Sequence, residues 1–171
     1  MMRKIRVGIV GLGHMGLIHL ANCLRLKEYC NVAAVADISR AALSDIRGLG
    51  IKSYSSYLEM VEKEKVDAII ISLPNYLHKD ACLLAAEEGC DIFLEKPLAM
   101  DINKGREIVN SVKKSGIKLM MGMCQRFIKG IKELKKVVNE GVLGHIIFAS
   151  TLLYMLAHSG VGVKLQNGGL M

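Results

Sequence analysis

Three groups of residues have types and spacings that can do chemistry. The first is Gly11-Leu12-Gly13-His14-Met15-Gly16, which follows an apolar run, Ile5–Val10, and opens an amphipathic stretch. In that context the pattern Gly-x-Gly-x-x-Gly reads as a phosphate-binding turn. Gly11 permits a tight turn, Gly13 lets a pyrophosphate approach the backbone, and Gly16 lets the following helix pack close to the strand. The helix start offers unpaired N–H groups and the positive end of its dipole to phosphate. Leu12, His14 and Met15 fill the variable positions and are counted with the cofactor-binding residues; His14 could contact phosphate or face solvent. Asp37 ends the next apolar run, 21 residues after Gly16, where a carboxylate can accept hydrogen bonds from an adenosine ribose. Its charge would repel a 2′-phosphate, which favours NAD. Arg40 could stack on adenine or pair with that phosphate, so NADP stays open. The second and third groups are Leu73-Pro74-Asn75-Tyr76-Leu77-His78 and Glu95-Lys96-Pro97. Each follows a later apolar run, at the strand ends where open α/β sheets bind ligands.

These groups need a scaffold, and the pattern between them supplies one. Short apolar runs at Ile5–Val10, Val32–Ala36, Ala68–Leu73, Ile92–Leu94 and Ile117–Met121 alternate with helix-like stretches near 14–27, 40–47, 55–64, 77–88 and 102–115. Runs such as Ala68-Ile69-Ile70-Ile71 are apolar on both faces, as strands covered by helices on both sides must be. Gly89 and Gly116 sit at helix C-cap positions, and Asp101 sits at an N-cap position with Lys104 rather than Glu at the capping-box site. Strand–helix alternation with right-handed crossovers predicts an α/β fold, a doubly wound parallel sheet. The pattern changes after about residue 123. A basic helix follows, then Gly144, a β-rich run over 145–156 and a glycine-rich tail. The expected division is a dinucleotide-binding domain over 1–123 and an incomplete start of an α+β second domain over 124–171.

Composition narrows the remaining functions. The chain has 171 residues and a formal charge of +7, and its 51% hydrophobic content excludes a disordered chain. The charge excess is confined to 113–136, where eight Lys and Arg face Glu133 alone. Part of that segment reads as a helix with Ile131, Leu134 and Val138 on one face and lysines on the other. With Phe127 as its one aromatic, it reads as a solvated helix face rather than a nucleic-acid surface. Five cysteines, without a Cys-x-x-Cys pair, fit reduced thiols and a cytoplasmic location and offer no metal spacing. No apolar run reaches the ~18 residues of a membrane span. No metal, nucleic acid or membrane partner is expected.

At Gly11–Gly16, Asp37, Pro74-Asn75-x-x-His78, Glu95-Lys96-Pro97, Gln125-Arg126-Phe127 and Gly141-x-x-Gly144 the sequence resembles the glucose-fructose oxidoreductase family, which includes inositol dehydrogenases. The resemblance implies a Rossmann domain binding a nicotinamide dinucleotide and a small hydroxylated substrate. It places Lys96 near the nicotinamide and the reacting hydroxyl, where a lysine can share in proton transfer. Glu95 would hold that lysine, Pro97 would fix the turn, and His78 would order the loop. Arg126 matches a family arginine that could reach cofactor or substrate. His19 reads as structural. In the family a Gly-Gly segment like Gly168-Gly169 leads into an aspartate and a histidine that complete the catalytic group, and neither follows here. The chain is therefore expected to be C-terminally truncated: it binds cofactor without a complete catalytic group, and the apolar run 145–156 is disordered, misdocked or self-associating. A non-catalytic nucleotide-binding or redox-sensing module is the alternative reading, with a basic nucleic-acid-binding protein as a less favoured one.

Overall fold

The computed structural model describes residues 3–150. The first unit, through Gly122, is built on one six-stranded parallel sheet in the order β3-β2-β1-β4-β5-β6. In chain order its elements are β1 (Ile5–Val10), α1 (His14–Arg25), β2 (Cys30–Ala36), α2 (Arg40–Asp45), β3 (Lys52–Tyr54), α3 (Tyr57–Lys63), β4 (Ala68–Ile71), α4 (His78–Glu87), β5 (Asp91–Leu94), α5 (Ile102–Ser115) and β6 (Leu119–Met121). Strand order reverses between β1 and β4, which pair directly. Such a reversal opens a crevice at the carboxyl ends of the two strands.

Alternation along the strands splits the core into two layers. Val7 and Ile9 of β1 pack with Leu20, Cys23, Val35 and Ile46. On the other face, Ile69 and Ile71 of β4 pack with Met60, Ala81, Ala85 and Ile108. Helices α1 and α2 therefore cover one face and α3, α4 and α5 the other, which is the doubly wound arrangement anticipated from the apolar runs. Asp101 caps α5 by accepting hydrogen bonds from the N–H groups of Asn103 and Lys104 at 3.0 and 2.9 Å. Lys104 brings its ammonium to within 3.6 Å of the same carboxylate, so the cap is electrostatic where a Glu would have made it reciprocal.

The edge strand β3 has no counterpart among the predicted runs. Its three residues, Lys-Ser-Tyr, are polar and too few to show a period. Pairing with β2 from Ala34–Lys52 to Ala36–Tyr54 forms it, and a buried carboxylate fixes it. Glu64, which closes α3, accepts hydrogen bonds from Lys52 Nζ and Tyr54 Oη, both at 2.7 Å, with Arg6 Nη2 3.8 Å away. The Lys52 ammonium, followed by the Tyr54 hydroxyl, holds the Glu64 carboxyl below its ordinary value.

A second unit begins at Met123 and contains a short 3-10 turn, Cys124–Phe127, and α6 (Lys129–Asn139). No residue of α6 is buried; Ile131, Leu134 and Val138 lie exposed, and Lys132 sits 5.4 Å over the Phe127 ring. The β-rich run expected over 145–156 is not a strand over 145–150, and the remainder lies outside the described residues. A strand needs a ladder partner, and among the described residues none pairs with this segment.

Two predictions follow from these contacts. Ile108→Ala empties a fully buried position between α5 and the sheet, and urea unfolding is expected to show a loss of about 2–5 kcal/mol. The depressed Glu64 carboxyl contributes stability that is complete above its ordinary value of 4.5 and is lost as pH falls through its lower folded value. Glu64→Gln should therefore be destabilised against wild type near neutrality, with the gap narrowing as urea melts are repeated below about pH 4.5.

Candidate functional site

The turn from β1 into α1 is built from backbone, with no room for side chains at two of its glycines. Gly11 has φ +86°, and a Cβ there would lie 2.6 Å from the Ser72 carbonyl oxygen. A Cβ on Gly16 would lie 1.8 Å from the Gly11 carbonyl oxygen. At Gly13 the opposite holds: a Cβ would meet nothing within 4 Å, and the residue is exposed. Gly13 is also the N-cap of α1, without a side-chain cap and without an acidic residue in the first turn. The helix start thus keeps its N–H groups free of side-chain acceptors, beside open space, as an anion requires. Leu12 is buried under the turn, Met15 is half-buried and His14 is exposed. Beside them, Ser72 Oγ is buried with no hydrogen-bond partner among the described residues.

Asp37 connects this turn to the end of β2. Its Oδ2 accepts the Leu12 N–H at 2.6 Å and its Oδ1 accepts the Ser39 N–H at 2.7 Å. A cavity of about 140 Å³ opens next to it, lined in part by Val10, Ile38, Tyr57 and Leu73. Arg40, the first residue of α2, is exposed and makes no ion pair among the described residues.

The ends of β4 and β5 bring the other sequence groups together. Leu73 is half-buried, whereas Pro74 and Asn75 are exposed. His78, the first residue of α4, is fully buried. Its Nδ1 lies 2.8 Å from the Pro97 carbonyl oxygen and its Nε2 lies 2.9 Å from the Leu73 carbonyl oxygen, so one ring ties both strand ends. Glu95 is buried and packs against Gly122, where a Cβ would come within 3.0 Å of Oε1.

Glu95, expected to hold the Lys96 side chain, has other partners. Glu95 Oε1 pairs with His19 Nε2 at 2.8 Å, and Oε2 accepts the backbone N–H of Lys96 at 3.2 Å. The Lys96 side chain is exposed and makes no ion pair among the described residues. Successive side chains leaving a strand point to opposite sides, so a buried Glu95 is met by α1 while its neighbour turns outward. His19, which reads as structural from the sequence, holds the Glu95 carboxylate. The available signal was its place three residues after Gly16, on the helix face that meets the sheet. Its ring also meets Phe93 edge-on, with centroids 5.0 Å apart. Arg126 lies in the Cys124–Phe127 turn of the second unit.

Among the described residues no group of three or more His, Cys, Asp and Glu side chains could hold a metal, and no helix is long and apolar enough to cross a membrane. Burial pushes the Cys23 and Cys82 thiols up to about 12, far from a reactive thiolate.

Comparison with known proteins converges on one family. The profile of an oxidoreductase family with an NAD-binding Rossmann fold, GFO/IDH/MocA, matches residues 5–123. An oxidoreductase of Streptococcus pneumoniae is 32% identical over 86% of this chain and 40% of its own length. The myo-inositol 2-dehydrogenase of Thermotoga maritima is 29% identical over 82% of this chain and 42% of its own. The crystal structure of scyllo-inositol dehydrogenase from Lactobacillus casei, with bound NAD(H) and scyllo-inositol, superposes with a TM-score of 0.78 at 27% identity, over 83% of this chain and 43% of that one. The chain spans about two fifths of the length of these relatives. With the matched residues coinciding with the parallel sheet and its glycine turn, the chain belongs to the GFO/IDH/MocA oxidoreductases and carries their NAD-binding Rossmann fold.

Proposed function

We propose that residues 1–123 hold NAD for hydride exchange with a hydroxyl-bearing substrate of the polyol or sugar type. In this reading 124–171 opens a substrate-binding domain. The observation that carries it is the turn at Gly11–Gly16, closed to side chains at two glycines and open at the third, with an uncapped helix start facing the opening. Residues Gly13–Gly16 would bind the pyrophosphate through backbone N–H groups, with Leu12 holding the turn by its N–H to Asp37, and Ser72 Oγ would gain the partner it lacks among the described residues. Asp37, fixed by Leu12 and Ser39, would accept the ribose hydroxyls beside the cavity at the end of β2. Leu73, Pro74 and Asn75 would border the cofactor from β4, and Arg40 and Arg126 would lie toward adenosine and substrate respectively.

When bound, NAD supplies the hydride acceptor. The chain's own contribution to the reaction is a proton path: the Lys96 side chain would sit at the substrate hydroxyl, its Nζ taking up the hydroxyl proton as the substrate is oxidised and returning it on reduction. The inositol substrates of the relatives motivate the substrate class. Turnover is assigned to the cofactor and substrate domains together, because aligning a hydroxyl carbon with the nicotinamide needs surfaces from both.

Titration calorimetry with NADH and NADPH tests the reading. NADH binding is expected, with NADPH at least about tenfold weaker because of the Asp37 carboxylate. Asp37→Ser should narrow that preference, and Gly13→Val, which fills the open space above the turn, should abolish binding of both while leaving the melting temperature close to wild type. Failure of wild type to bind either nucleotide overturns the proposal.

A further inference from the structure

The Lys96 side chain is exposed and makes no ion pair among the described residues, but both of its neighbours are anchored. On one side, the Glu95 carboxylate is held by His19 Nε2 at 2.8 Å. On the other, the Pro97 carbonyl oxygen is held by His78 Nδ1 at 2.8 Å. Each ring has a second attachment: His19 meets the Phe93 ring, and His78 Nε2 reaches the Leu73 carbonyl oxygen at 2.9 Å. The two histidines arrive from opposite faces of the sheet, one on α1 and one on α4. His19 shares its helix with the glycine turn, and His78 follows the loop after β4. The Glu95–Pro97 turn is therefore tied to both segments that border the cofactor crevice.

We propose that His19 and His78 are positioning residues that brace the Glu95–Pro97 turn from its two ends and so set where the Lys96 ammonium stands. The inference rests on the reading of Lys96 as the proton-sharing group. The two rings do different hydrogen-bonding jobs. His19 presents one nitrogen to one carboxylate, a task that a glutamine amide N–H can also perform. His78 spans two carbonyl oxygens on opposite edges of its ring, one 2.8 Å from Nδ1 and the other 2.9 Å from Nε2. A glutamine has one amide nitrogen and cannot reach two carbonyls on opposite sides of a ring.

That asymmetry is testable by NMR on the full chain with lysines carrying ¹³C-methyl labels. The Lys96 signal is the one lost in Lys96→Arg. His19→Leu and His78→Leu are expected to displace it, His19→Gln to return it to the wild-type position, and His78→Gln to leave it displaced. The signal of Lys63, exposed on α3, should hold in every variant. The displaced variants should also bind NADH on the order of tenfold more weakly, the usual consequence of losing a group that orients another. A Lys96 signal unmoved by both leucine variants, or moved as far by His19→Gln as by His19→Leu, overturns the brace. If a leucine variant does not fold, the two glutamine variants decide alone: equal behaviour overturns the proposal, and rescue by His19→Gln only supports it. The Lys96 signal is read without nucleotide, so absence of NADH binding in wild type would sink the cofactor reading and leave this test standing.

Discussion

Much of this structure depends on one close approach of backbone to backbone. Helix α1 starts so near the strand before it that a single carbon on Gly16 would collide with the Gly11 carbonyl. The contact sets where the helix begins, and with it where the unpaired N–H groups stand. It also presses Leu12 into the core and brings its N–H to Asp37, 25 residues away. The end of β4 is drawn into the same contact, because Gly11 rests against the Ser72 backbone. Three strand ends are thereby held together by backbone groups and the Asp37 carboxylate, and Gly13 beside them faces open space.

Polar groups at the carboxyl ends of the strands are arranged around that contact in an order of burial. The His78 ring and the Glu95 carboxylate are buried, and Lys96 is outermost. A buried polar group is costly unless bonded, so the inner groups are consumed in holding one another and the backbone. The outer ammonium makes no ion pair among the described residues. Glu64 illustrates the contrast: it is equally buried, yet its partners are Lys52, Tyr54 and Arg6, and its result is an edge strand rather than a site.

The glycine turn, Asp37 and the Glu95-Lys96-Pro97 turn were legible because each occupies a fixed place relative to an apolar run. Five strands and five helices were visible for the same reason. What escaped was short or distant. β3 has three polar residues and exists through its pairing with β2, and the His19–Glu95 pair joins positions 76 residues apart. The natural guess for a partner of Glu95 was the lysine beside it, but strand geometry sends adjacent side chains apart. The basic segment 113–136 was also divided by the fold, its first lysines ending α5 and its last lying on α6 in a separate unit.

Sequence alone determined five of the six strands, the helices between them, their parallel arrangement and the glycine turn, because hydrophobic period and glycine placement are local properties. Tertiary structure decided which polar groups are spent and which are free. It gave Glu95 to His19 and both ring nitrogens of His78 to backbone carbonyls, and it left Lys96 without an ion-pair partner among the described residues. Pairings of this kind depend on distances between segments far apart in the chain, and those distances arise only when helices from both faces close on the sheet.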